Sequence, residues 1–250
     1  MSSIDRTFVK KSFNVSAETY DRYAGLQNRM GDRLLQRYCG DRGAARILDI
    51  GMGTGNLTIR LREKFPEARV HGCDLALNML EHARQKMELS AQNQLLTVAD
   101  AELLPYKLGS FDLIASSFTY QWLDNWAPAL QEVRRVLTAG GLFIFSAFGS
   151  NTFYELRQAY IKACSQTGYT QGAALQLSTT RESVTQALAV CGFREVCVES
   201  LSVIEHYPGV NDLVRSIKGM GARNASARRN KTPGVRKIWK RMVALYEQDF

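Results

Sequence analysis

Three short stretches of the 250-residue chain carry residue types that could do chemistry, and each closes an apolar run. Asp49-Ile50-Gly51-Met52-Gly53-Thr54-Gly55 closes the first. Its glycines permit backbone turns and a close approach to a ligand that side chains would deny. The G-x-G-x-G spacing is one residue shorter than the dinucleotide pattern, so the loop alone admits either a ligand site or a bare tight turn. Asp74 closes the second run, where a carboxylate can accept hydrogen bonds from both ribose hydroxyls; a solvated strand-end acid is the alternative. Ala99-Asp100-Ala101 closes the third. There an acidic side chain and a backbone amide could meet an adenine edge, with Glu102 as a second candidate acid. Together these residues suit a nucleoside lying across strand ends, its flexible tail near the glycines.

The elements that must position them alternate. Strands are expected at Arg46–Ile50, Arg69–Asp74, Leu95–Val98, Phe111–Ser117 and Leu142–Ser146, the last after an Ala139-Gly140-Gly141 turn. Between them, helical spacing of Leu57, Leu61 and Phe65, of Leu80, Ala83 and Met87, and of Leu130, Val133 and Leu137 marks amphipathic helices. Alternating strands and helices imply an α/β doubly wound, mostly parallel sheet with helices on both faces. Four parts are expected: a helical cap (1–44), a ligand-binding core (45–147), a C-terminal part of the core (148–209) and basic lid helices (210–250). In the third part, Phe153–Ala163 reads as a helix, Thr179 with Glu182 as a capping box for a helix ending at Gly192, and Glu195–Ser202 as a strand. Pro233-Gly234 would separate the two lid helices.

Composition is that of an ordinary globular chain, with 45% hydrophobic and 22% charged residues, and excludes disordered or fibrous classes. With neither a signal-peptide pattern nor a long apolar run, the expected location is cytoplasmic. Five scattered cysteines and three histidines, without C-x-x-C or H-x-x-x-H spacing, suggest neither a disulfide framework nor a metal site. The net charge of +8 is concentrated: ten Lys and Arg lie between Leu213 and Tyr246 without an acid, and the rest of the chain is slightly acidic. Such a stripe attracts nucleic acid, an anionic membrane or an acidic protein, or is simply a solvated face.

Ile47 to Gly55, Asp74, Asp100-Ala101, Phe111 to Ser117 and Arg135 to Gly141 together resemble class I S-adenosylmethionine-dependent methyltransferases. The flanks narrow this: Phe13, Tyr20, Ala24, Leu26 and Gln27, then Phe118-Thr119-Tyr120-Gln121-Trp122, Phe145 to Gly149 and Ser216 to Ala222 are similar to malonyl-acyl carrier protein O-methyltransferases of biotin synthesis. In that family a final strand follows the basic helices. The chain stops at Phe250, so the expected sheet lacks that strand or is completed otherwise.

The resemblance implies S-adenosyl-L-methionine as cofactor and S-adenosyl-L-homocysteine as product, with no metal. It implies that Asp49, Gly51, Gly53 and Gly55 shape the methionine pocket, that Asp74 holds the ribose, and that Asp100, Ala101 and Glu102 meet the adenine. Leu75 and Met79 would pack the adenine ring, and Ser116, Ser117 and Phe118 would floor the methyl-transfer side. The reaction is carboxyl esterification, needing no general base, with Tyr20, Gln121, Trp122 and Lys218 at the substrate. Arg223, Arg228, Arg229 and Lys231 would dock an acidic acyl carrier protein bearing malonyl-phosphopantetheine. The alternatives are a quinone or small-acid methyltransferase, an RNA methyltransferase, or a non-catalytic scaffold. An amino-methylation motif or Pro-Cys nucleophile after the fourth strand would favour RNA, and Ser117-Phe118-Thr119-Tyr120 stands there instead.

Overall fold

A computed structural model describes residues 4–40, 43–87, 94–168, 179–223, 225 and 235–250. The strand Arg46–Ile50 (β1) is apolar on both sides because it sits in the middle of the sheet, where both faces are covered. β2 (Arg69–Asp74), β3 (Gln94–Val98), β4 (Phe111–Ser117) and β5 (Leu137–Ser146) join it in the order β3-β2-β1-β4-β5, every pair parallel. The chain fills one side of β1 and then crosses to the other, so the order reverses between β1 and β4. A crevice opens at such a switch point, beyond the carboxyl ends of the strands. The register sets Asp49 opposite Gly72 of β2 and Ala115 of β4.

Helices α1 (Arg6–Tyr23) and α2 (Gly25–Tyr38) precede the sheet; α3 (Asn56–Lys64), α4 (Leu77–Met87) and α5 (Trp126–Val136) are interleaved with its strands. Asp5 caps α1 by accepting from the Phe8 N–H, and Asn125 caps α5 through Ala127. One face of the sheet packs Ile47, Leu113 and Ile144 on α2 and α3; the other packs Leu48, Ile50 and Ile114 on α5. Helix α6 (Tyr154–Thr167) shares a separate apolar core with α8 (Val210–Gly219) and α9 (Val235–Asp249), built around Leu156, Ala163, Leu213, Ile217, Ile238 and Leu245. Among the described residues no helix is long and apolar enough to cross a membrane.

Three local expectations are corrected. The Ala139-Gly140-Gly141 turn is instead an irregularity inside β5, which starts at Leu137 opposite Phe111 and shifts register before Leu142. Gly140 (φ +70°) supplies the kink without ending the ladder. The capping box of α7 (Arg181–Val190) lies one residue later than expected, with Thr180 and Ser183 exchanging side-chain and backbone bonds. Glu195–Ser202 forms no strand. Its alternation is real, since Val196 and Val198 pack beside Phe143 and Phe145, but Glu195 takes a left-handed conformation (φ 54°) and no backbone ladder forms. Pro233-Gly234, expected to break the lid helices, lies outside the described residues.

Candidate active site

The glycine loop leaves β1 because only glycine fits its path. Gly51 has φ +68°, and a Cβ there would fall 2.1 Å from Thr119 Oγ1, whose hydroxyl donates to the Ile50 carbonyl at 3.2 Å. Gly53, at φ +55°, lies under the Tyr20 ring, 3.9 Å from where its Cβ would stand. Asp74, at the end of β2, holds the loop from below. Its Oδ2 accepts from Gly53 N–H at 2.9 Å and its Oδ1 from Ala76 N–H at 2.8 Å. Desolvation raises the pKa of Asp74 against the pull of these amides.

Above the loop opens a cleft lined by Tyr20, Gln27, Asn28, Asp49, Gly51, Thr54 and Ser117 among others. Asp49 is 1% exposed. One of its oxygens accepts from Thr58 Oγ1 at 2.7 Å, and the other has no partner. Burial pushes its carboxyl up to about 7, the Thr58 bond opposes that rise, and the Asp74 charge adds to it. Desolvation and the carboxylates Asp74, Asp21 and Asp49 push the Tyr20 phenol far above its ordinary value, so its hydroxyl keeps its proton.

The structure thus brings Tyr20, Asp49, Gly51 and Ser117 to one cleft, with Asp74 holding Gly53 beside it, while Gly55 (φ +83°) turns the chain into α3 against Met87 and Ala83. Ser116 is fully buried, its hydroxyl donating to the Ile50 carbonyl at 2.8 Å, while the next residue along the strand, Ser117, lines the cleft. Phe118 has a left-handed backbone (φ 54°), a strain worth about 1–3 kcal/mol. That strain is held by its N–H donating to Ser146 O at 2.9 Å, by Gln121 Nε2 donating to its carbonyl at 2.7 Å, and by the Phe148 ring. Trp122 packs edge-on against Phe13 at 5.3 Å.

At the nucleoside end, Ala99 N–H donates to Asp74 O at 3.0 Å and brings the ends of β2 and β3 together. Asp100 accepts from Glu102 N–H at 2.9 Å, and the cap residue Arg6 forks onto Asp100 at 3.0 Å and Glu102 at 2.8 Å. Sequence spacing gave no sign of that pairing. Ala101 packs into two core clusters, Leu75 is half-buried, and Met79 is buried against Ala17 and Tyr20 of α1. Lys218 stands exposed, its ammonium 5.6 Å from the Trp239 ring centroid, and is not among the residues lining the cleft. Arg223 is exposed; Arg228, Arg229 and Lys231 lie outside the described residues. Among the described residues no three His, Cys, Asp or Glu side chains converge to hold a metal.

Residues 47–141 match the methyltransferase domain family. The malonyl-[acyl-carrier protein] O-methyltransferase of Geobacter sulfurreducens is 38% identical over 248 residues, covering 99% of this chain and 92% of that protein. The chain belongs to this family. The enzyme of the same name from Laribacter hongkongensis is 36% identical, covering 98% and 83% respectively. Among solved structures, a phosphoethanolamine N-methyltransferase from Haemonchus contortus in complex with S-adenosyl-L-methionine superposes with a TM-score of 0.59 over 94% of this chain and 53% of that one, at 18% identity. The likeness to the first two runs through cap, core and C-terminal helices alike.

The cleft fits the cofactor of this family on its own chemistry. The unpartnered Asp49 oxygen is a buried acceptor beside a glycine loop, as a cationic methionyl end requires, and the Asp74 carboxylate stands one strand away for a ribose. Gln27, Asn28, Thr54, Asn56 and Arg60 also line the cleft and were missed as site residues. Gln27 alone had left a trace, as part of the cap pattern.

Proposed function

We propose that this protein esterifies the free carboxylate of a malonyl thioester carried on acyl carrier protein. The observation that carries this reading is the end-to-end similarity to enzymes of that name, cap and C-terminal helices included, rather than the core alone. When bound, S-adenosylmethionine supplies an electrophilic sulfonium methyl group. The acceptor carboxylate is already ionised at neutral pH, so the protein must align and dehydrate rather than remove a proton.

Asp49 and the glycine loop hold the methionyl end, Asp74 the ribose, and Asp100 with Ala101 the adenine. Tyr20 orients the acceptor carboxylate as a hydrogen-bond donor, a role its persistent proton suits. Gln121 and Trp122 shape the mouth around it. The exposed Arg223 and the exposed basic face of α9, with Arg236, Lys237 and Lys240, present positive charge to an acidic carrier; Arg228, Arg229 and Lys231, in the same basic stretch of sequence, are assigned to the same docking role. Nucleic acid is not the partner in this reading.

The test is methyl transfer from labelled S-adenosylmethionine to malonyl-acyl carrier protein, unacylated carrier, free malonate and transfer RNA. Mass spectrometry should find one added methyl on the malonyl carrier alone. Label on RNA or a free acid would overturn the substrate assignment and leave the cofactor site standing.

A further inference from the structure

Three side chains lining the cleft each keep a buried oxygen that no donor reaches: Gln27 Oε1, Asn28 Oδ1 and Asp49 Oδ1. A buried acceptor without a partner costs free energy, so three in one cleft demand a common explanation. Their chemistry is uniform. With Asp49 ionised all three are acceptors, one carries charge, and none can satisfy another. A carboxylate or phosphate would be repelled here, and a neutral apolar group would leave all three unmet. A primary ammonium, with three N–H donors and a positive charge, matches their number and sign.

The orientations are fixed from behind. Thr58 holds the second Asp49 oxygen at 2.7 Å, so Oδ1 is the one left over. Gln27 Nε2 stands 3.0 Å from Met220 Sδ, which leaves Oε1 as the atom without a partner. Gln27 and Asn28 belong to α2, an element that the sequence assigns to a helical cap outside the ligand-binding core. We propose that α2 is instead part of the cofactor site: Gln27 and Asn28, together with Asp49, receive the α-ammonium group of the methionyl moiety. The proposal rests on the S-adenosylmethionine reading and adds to it two residues from outside the nucleotide-binding core.

Titration calorimetry on the full chain tests it with two ligands, S-adenosylhomocysteine and 5′-methylthioadenosine, which shares the adenosine and sulfur but lacks the amino-acid end. Gln27→Met and Asn28→Leu should each weaken S-adenosylhomocysteine about ten-fold or more, the loss of one charge-assisted bond, and leave 5′-methylthioadenosine within two-fold. Gln27→Glu, which keeps an acceptor oxygen, should retain S-adenosylhomocysteine binding. Unchanged affinity for S-adenosylhomocysteine in the first two variants overturns the proposal. So does an equal loss of both ligands, which would mark a merely structural role for α2. A wild-type chain that binds neither ligand would instead overturn the cofactor reading beneath it.

Discussion

Replacing Asp49 with asparagine should stabilise the ligand-free protein and weaken its grip on the cofactor. In the folded chain the Asp49 carboxyl holds its proton up to about pH 7, whereas an unfolded aspartate ionises near 3.9. Folding therefore takes up a proton between those values, and stability falls as pH rises through that window and levels off above 7. A gap of roughly three pH units, at about 1.4 kcal/mol each, sets a ceiling of about 4 kcal/mol. Asp74 faces the same space and is raised in the same direction, so part of the slope belongs to it and will survive the substitution. Cys73 and Tyr20, the other titratable groups nearby, are pushed far above the window and do not contribute. Asparagine keeps an oxygen for Thr58 and turns a neutral amide toward the cleft. Thermal unfolding at pH 8 should rise by about 4–8 °C if half the ceiling is recovered, at about 2–4 °C per kcal/mol for a chain of this size. The same variant should lose S-adenosylhomocysteine affinity by about 1.5–3 kcal/mol, the range of a charge-assisted hydrogen bond. A wild-type stability that is flat from pH 4.5 to 8, with no gain in the variant, would refute the argument that Asp49 is held protonated by burial.

Asp74→Ala should reduce S-adenosylhomocysteine affinity at least ten-fold by calorimetry, because it removes both the ribose acceptor and the two bonds that set Gly53 and Ala76 in place; an unchanged affinity would sink its assignment to the ribose. Tyr20→Phe keeps the ring packed on Met79 and Ala17 and removes only the donor. It should leave S-adenosylhomocysteine binding within about three-fold and lower kcat about ten-fold, the worth of one hydrogen bond; an unaltered kcat would exclude the hydroxyl from the reaction. Lys237→Glu with Lys240→Glu, on the exposed face of α9, should raise KM for the malonyl carrier, more so at low salt, and spare malonyl-coenzyme A. Equal effects on the two substrates would speak against electrostatic docking there.

The sheet was legible because its signals are local. Apolar runs that end in Asp49 and the glycines, in Asp74 and in Ser117 locate the strand ends, and strand–helix alternation gives parallel pairing. What escaped needs a partner to be seen. Gly140 and Gly141 spell a turn to any local rule, yet Phe111 across the ladder keeps that stretch in β5. Glu195 to Ser202 alternates as a strand should, yet joins no ladder among the described residues, and the left-handed turn at Glu195 leaves no mark on the alternation. Adjacent threonines at 179 and 180 offer two caps; the Thr179–Glu182 spacing matches the usual box, and the helix is capped by Thr180 with Ser183 instead. Gln27 and Asn28 look like solvated helix residues until α2 is laid across the cleft. Arg6 and Asp100 are 94 residues apart, so their pairing carries no signal in spacing.

The cap is bound to the core by two kinds of contact that serve different ends. Apolar packing of Phe13, Ala17 and Tyr20 on Ala76 and Met79, and of Leu34 and Leu35 on the sheet cluster, supplies the adhesion. The ion pairs Arg6 with Asp100 and Glu102, Asp21 with Lys86, and Asp32 with Arg60 are each partly exposed, and such pairs are worth about 0–1 kcal/mol. Their contribution is therefore register rather than strength. They hold α1 over the strand ends and α2 over the glycine loop, so that Tyr20 and Gln27 reach the same cleft from successive helices. The Asp21 carboxylate also accepts from Thr54 at 2.5 Å and Asn56 at 3.0 Å, which joins the cap to the loop that must fit the cofactor. A cap adhering through a modest apolar face and indexed by weak pairs can part from the sheet at far lower cost than any strand can leave it. It is therefore the cap, and not the Asp49–Asp74 floor, that is cheaper to move when a ligand enters the cleft between α2 and the glycine loop.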